Sequence, residues 1–171
     1  MRDLASATGL SVSGLYHHVP GKSQLLHQLQ EDAFRRLLRP LSSLPPSMTP
    51  EEKLGLLIHN HVSFFAHHIT EMKVLAHESD ALGGELGRKM HARRRRYYRL
   101  CLRIVSDILR KSRRVDIDAR VCTMTLFGMI NWIYTWYRPA WHGDPDTVAR
   151  QMAEIFLRGI QRDRRRVIKR G

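Results

Sequence analysis

Apolar residues recur every three to four positions along almost the whole chain, and no run alternates convincingly with a period of two, so the pattern predicts helices and no sheet. The segment 3–8 stops at Gly9. Ser11 is placed to cap a short helix over 12–18, which Pro20 and Gly21 end. From 23 to about 38, Leu25, Leu26, Leu29, Ala33, Phe34, Leu37 and Leu38 form one stripe. Residues 40–50, rich in proline and serine, are the clearest boundary. Thr49, Pro50 and Glu52 then supply a cap, a first-turn proline and a reciprocating glutamate, which predicts a helix to about His68. Further helices are predicted over 70–81, over 85–111 after Gly83 and Gly84, over 118–137 up to Pro139, and from Pro145 to about 160.

In the long helix over 85–111, Leu86, Met90, Tyr97, Cys101, Val105 and Ile108 share a face. At 100° per residue Arg94 falls near the centre of that stripe, while Arg95, Arg96 and Arg99 point away. A buried arginine needs an anionic partner, so Arg94 either reaches Glu71 or Glu78, meets a bound carboxylate or phosphate, or extends to solvent. The arginine run beside it reads as a solvated face, or as a surface for the phosphates of a nucleotide-bearing ligand. The second half of 118–137 is apolar on every side, so one side is expected to face the core and the other a second copy of the chain. Val148, Met152, Ile155, Phe156 and Leu157 offer a matching surface. A pocket inside such a bundle would be mainly apolar, and its candidates are Phe64, Phe65, Met72, Met90, Arg94, Tyr98, Met129 and Trp132, each of which core packing would equally explain.

Composition narrows the partners. The chain has 171 residues, room for one or two small domains, and a formal net charge of +13, which favours polyanions. Cys101 and Cys122 lack metal-ligand spacing and read as reduced core thiols of a cytoplasmic protein. No signal peptide is visible, and the apolar run 126–137 is short of the roughly 20 residues a bilayer crossing needs, so no membrane partner is expected. His61 and His68 share a helix face, but no histidine pair has the i, i+4 spacing of a metal site; the histidines read as surface residues and no metal or other cofactor is expected. No Ser/His/Asp set, paired catalytic carboxylates or phosphate-cradling glycine loop is apparent, which argues against an enzyme.

The first forty residues carry the most specific signal. Two helices joined by a tight turn, the second capped by Ser11, form a helix-turn-helix. Ser13 and Gly14 are small enough for the second helix to sit deep in a major groove. Leu15 and Val19 can turn inward, with His17 and His18 towards bases or phosphates. Lys22 stands at the start of the next helix, where a lysine and free amides can hold a phosphate. The stretch with Leu4, Ala5, Gly9, Leu10, Ser11, Leu15, Tyr16, His18, Lys22, Leu25 and Leu26 resembles the DNA-binding signature of the TetR/AcrR family of bacterial regulators. That resemblance implies an all-α fold: a helix-turn-helix unit followed by a C-terminal helical bundle that dimerises through its last two helices. It implies base contacts from Val12, Ser13, Gly14 and His17 and phosphate contacts from Tyr16, His18 and Lys22 on a palindromic double-stranded operator. The stretch from Gly128 to Pro139 with the helix after it resembles a branch whose members respond to acyl-CoA thioesters. The implied division is 1–40 for the helix-turn-helix region and connecting helix, 41–162 for the ligand-binding and dimerisation bundle, and 163–171 for a basic tail. The expected function is a repressor released by a small hydrophobic, acyl-CoA-type effector. The family places a further helix before this signature, whereas Met1 stands close to it. The unit is therefore expected to be N-terminally truncated or its frame to start upstream, with weak operator binding; the alternative function is a non-DNA-binding relative that only binds ligand or dimerises.

Overall fold

The computed structural model describes residues 21–78 and 81–161. The helix-turn-helix segment, with Val12, Ser13, Gly14, Tyr16, His17 and His18, and the basic tail lie outside the described residues. Helix α1 (Lys22–Leu38) passes into a 3-10 turn (Arg39–Leu41). It is followed by α2 (Pro50–His67), α3 (Ile69–His77), α4 (Gly84–Lys111), α5 (Ala119–Asn131), α6 (Ile133–Trp136), α7 (Pro139–His142) and α8 (Pro145–Ile160). Every regular element among the described residues is helical, the all-α class that the periodicity predicts.

Local chemistry sets where these helices begin. At α2 the Thr49 hydroxyl accepts from the Glu52 amide at 3.2 Å, and the Thr49 amide donates to Glu52 Oε2 at 2.7 Å, so two orphan donors are satisfied reciprocally. Asp118 caps α5 by accepting from the Arg120 amide at 2.7 Å. Asp144 caps α8 by accepting from the Thr147 amide at 2.8 Å, with Pro145 in the first turn. Gly87, in the first turn of α4, lets the chain at Leu82 pass over it: a Cβ there would lie 2.3 Å from the Leu82 carbonyl oxygen.

Helix α2 is the hub. Its Leu54, Leu57, Ile58 and Val62 are fully buried, each worth about 1.5–3 kcal/mol relative to exposure. Helix α8 lies along it most extensively, and α4 closes the core with Cys101, Val105 and Ile108, α5 with Leu126 and Ile130. A smaller cluster of Leu26, Leu82 and Met90 joins α1 to the start of α4.

Besides the helix expected over 70–81, which ends at His77, two features differ from the sequence expectation. The helix expected over 118–137 breaks at Trp132, which ends α5 and begins α6. Tyr137 then leaves helical geometry, is buried, and donates its hydroxyl to the Gly143 carbonyl at 2.8 Å, while Gly143 takes a φ of 75°, accessible to glycine without strain. Pro139, expected only to stop a helix, also opens α7. His61 is the second difference. It is 2% exposed, not on the surface, because its position continues the buried face of Leu54, Leu57 and Ile58.

Candidate effector cavity

Between α1, α2, α3, α4 and the α5–α6 break lies a cavity of about 350 Å³. Helix α1 presents Gln30, Ala33, Phe34 and Leu37 to it at helical spacing. Phe65 comes from α2, Met72 and Ala76 from α3, Arg94 from α4, and Asn131, Trp132 and Tyr134 from the break. Apolar walls with a few polar groups suit a small hydrophobic ligand carrying one polar or charged end.

The polar groups are specific. Gln30 is 2% exposed; its amide nitrogen donates to the Glu78 carbonyl at 3.4 Å, and its Oε1 has no hydrogen-bond partner. A buried acceptor left open in this way is costly, and a ligand donor would satisfy it. Arg94 is half-buried and is the one charged side chain on the wall among the described residues. Glu71 pairs with His68 at 3.4 Å, and Glu78 with Lys22 at 3.5 Å. Arg93, next to Arg94, turns to α1 and forms a forked pair with Glu31, its Nε 3.3 Å from Oε2.

Behind Phe65 sits a buried aromatic stack. The His61 ring lies 4.2 Å from that of Phe65, and its Nδ1 is 3.1 Å from the Tyr97 hydroxyl. Burial pushes the His61 imidazole down to about 3, opposed in part by the nearby Asn131 side chain, which makes no hydrogen bond with His61 Nε2. His61 is therefore neutral at physiological pH. Burial also pushes the Tyr97 phenol up, so it stays protonated.

Of the residues picked from sequence, Phe65, Met72, Arg94 and Trp132 are brought together on the cavity wall. Phe64 packs edge-on against Phe65 and over His68. Met90 is buried in the small cluster with Leu26, and Tyr98 stacks on Phe127, ring centres 6.3 Å apart. Met129 lies on the outer side, in a groove of about 650 Å³ with Trp132, Trp136, Trp141, Met152 and Ile155. Sequence reasoning missed Gln30, Asn131 and Tyr134. Gln30 had a legible signal, a polar residue on the same helix face as Leu26, Ala33 and Leu37. Among the described residues no three His, Cys, Asp or Glu side chains come together as a metal site, and no helix is long and apolar enough to cross a membrane.

Lys22 is exposed at the first position of α1. Gly21 precedes it and has no side chain with which to cap the helix.

One wall of this cavity is the helix that follows the segment predicted as a helix-turn-helix. The family model for the tetracyclin repressor-like C-terminal domain matches residues 47–160, and the chain belongs to this family, the TetR-type regulators. Solved relatives share the fold over nearly the whole chain. PfmR, a TetR family transcriptional regulator from Thermus thermophilus, is 25% identical, over 94% of this chain and 88% of its own, with a TM-score of 0.80. The ketosteroid regulator KstR2 of Mycobacterium tuberculosis is 21% identical, over 95% of this chain and 84% of its own, with a TM-score of 0.79. AibR in complex with isovaleryl coenzyme A and operator DNA is 23% identical, over 90% of this chain and 84% of its own, with a TM-score of 0.76. No curated protein matches the chain.

Proposed function

We propose that this protein is a cytoplasmic repressor that binds a palindromic DNA operator as a homodimer and is released by a small hydrophobic effector with an anionic end, of acyl-CoA type. The observation that carries the reading is the shared wall: Gln30, Ala33, Phe34 and Leu37 of the cavity belong to α1, the helix that begins at Lys22, directly after the segment predicted as a helix-turn-helix. A ligand there touches the element that places the recognition helix, and it regulates if it binds the DNA-competent and free states with different affinity. In this reading Phe65, Met72, Trp132 and the α1 residues hold the hydrophobic part, and Arg94 and Gln30 meet the polar end. Val12, Ser13, Gly14 and His17 read bases; Tyr16, His18 and Lys22 hold phosphates.

The dimer reading rests on an exposed apolar patch. Trp132, Trp136, Trp141, Met124 and Ile155 stand exposed around α5–α8, with Trp141 83% and Ile155 67% accessible, more than a lone soluble copy usually leaves open. The chemistry is binding, with no role for a cofactor or a catalytic step.

The test is a thermal-shift titration of the full chain with isovaleryl-CoA and longer acyl-CoAs, free coenzyme A as control. Binding at 100 times Kd stabilises by about 2.7 kcal/mol and raises the melting temperature with concentration. Arg94→Ala should remove the rise, and the same acyl-CoA should weaken binding to duplex from the gene's own promoter. No shift with any acyl-CoA or fatty acid, or an unchanged shift in the Arg94→Ala protein, would refute the effector class.

A further inference from the structure

The side of α4 turned away from the effector cavity carries Arg88, Arg95, Arg96, Arg99 and Arg103, all exposed. Their spacing places them on one face, roughly opposite Arg94. With His91, Ser42 and the apolar Leu38, Leu41, Ala92 and Leu100 they line a groove of about 920 Å³ between α4 and the turn that follows α1. Leu38 and Leu41 are buried beneath it and form an apolar floor.

Many described arginines outside the groove have a carboxylate partner. Arg35 and Arg36 pair with Asp32, Arg93 with Glu31, Arg110 with Asp107, Arg120 with Asp118 and Arg158 with Glu154. No described carboxylate pairs with any of the five groove arginines, and no acidic residue lines the groove. Like charges stacked at helical spacing oppose helix formation, and here nothing described offsets them.

We propose that this groove is a second binding site, for a polyphosphate-bearing small molecule of nucleotide type. Planar guanidinium forks suit phosphate oxygens, and they also stack on a flat base. The apolar floor decides between a nucleotide and a nucleic-acid backbone. A base can cover Leu38, Leu41 and Leu100, whereas a convex duplex would touch the arginine rim and leave the floor unfilled. From Arg88 to Arg103 the rim runs about 22 Å at 1.5 Å per residue, long enough for several phosphates and a nucleoside in line. The site is separate from the effector cavity and does not rest on the acyl-CoA reading.

Isothermal titration of the full chain with ATP, and with inorganic tripolyphosphate, at about physiological salt tests it. ATP should bind at one site per chain and more tightly than tripolyphosphate, because only ATP fills the floor. Arg95→Ala/Arg99→Ala should weaken ATP at least tenfold, and Arg95→Lys/Arg99→Lys, which keeps charge but loses the fork, should fall between. Arg110→Ala/Arg150→Ala, an equal loss of charge elsewhere, should leave ATP affinity within twofold. Equal weakening by the two alanine pairs would overturn the site as mere net charge. So would no ATP binding, or binding only of random-sequence duplex DNA that the groove arginines support.

Discussion

Replacing His61 with phenylalanine should flatten the dependence of stability on pH between 7 and 5. The ring is 2% exposed and stacked on Phe65, and burial holds its pKa at about 3 against an ordinary 6.5. Between those values the unfolded chain binds a proton that the folded chain refuses. The folded state keeps its full stability above pH 6.5 and loses it as pH falls towards 3. At about 1.36 kcal/mol per unit, the fall from 6.5 to 5 costs about 2 kcal/mol, and the whole excursion about 5. That is a large share of a typical total of about 5–15 kcal/mol. Phenylalanine keeps the stack and cannot be protonated. It leaves the Tyr97 hydroxyl, now 3.1 Å from His61 Nδ1, without that partner, at a cost of about 1–3 kcal/mol that is the same at both pH values. The readout is a double difference from urea unfolding at one protein concentration: wild type should lose about 2 kcal/mol more than His61→Phe between pH 7 and 5. The other histidines contribute to both proteins and cancel. Equal losses would show that the folded core accepts the proton, and the assignment of His61 as a neutral core ring would be wrong.

Two further outcomes test other parts of the molecule. Gly87→Ala should lower stability by about 1–3 kcal/mol despite its better helix propensity, because the new Cβ meets the Leu82 carbonyl at 2.3 Å; an unchanged urea midpoint would contradict this. Ile155→Glu places a charge on a side chain that is 67% exposed, so the monomer fold should hold while the proposed dimer weakens at least tenfold; light scattering that still reports a tight dimer would move the interface elsewhere.

Where each residue type had one physical use, the sequence was readable. The Thr49–Glu52 capping box and the proline inside it placed the start of α2 to the residue. The stripe from Leu25 to Leu38 placed α1, and the glycine pair before Glu85 placed α4. Where every side of a helix is apolar, periodicity has no phase, so the break at Trp132 left no mark. Pro139 was ambiguous because the same fixed φ that ends one helix starts another. For His61 and Gln30 the helical register already pointed inward, and residue type pointed outward; register won, since α2 and α1 are covered on those faces by α4 and its neighbours. The cavity wall was half legible. Phe65, Met72, Arg94 and Trp132 are large or charged on apolar faces, whereas the share belonging to α1 depends on how helices distant in sequence cross.

The fastening of α1 is uneven along its length. At its far end Leu37 and Leu38 are set into the main core, and Asn60 Nδ2 grips the Leu37 carbonyl at 3.1 Å. At its near end the hold among the described residues is lighter: Leu26 packs in the small cluster with Leu82 and Met90, and Lys22 makes an exposed ion pair to Glu78. Swung about Leu37 as a fulcrum, the helix reaches the cavity at Ala33 after about 6 Å and Lys22 after about 22 Å. A nudge of about 1 Å from an occupant would thus arrive nearly fourfold magnified at the end that leads into the DNA reader.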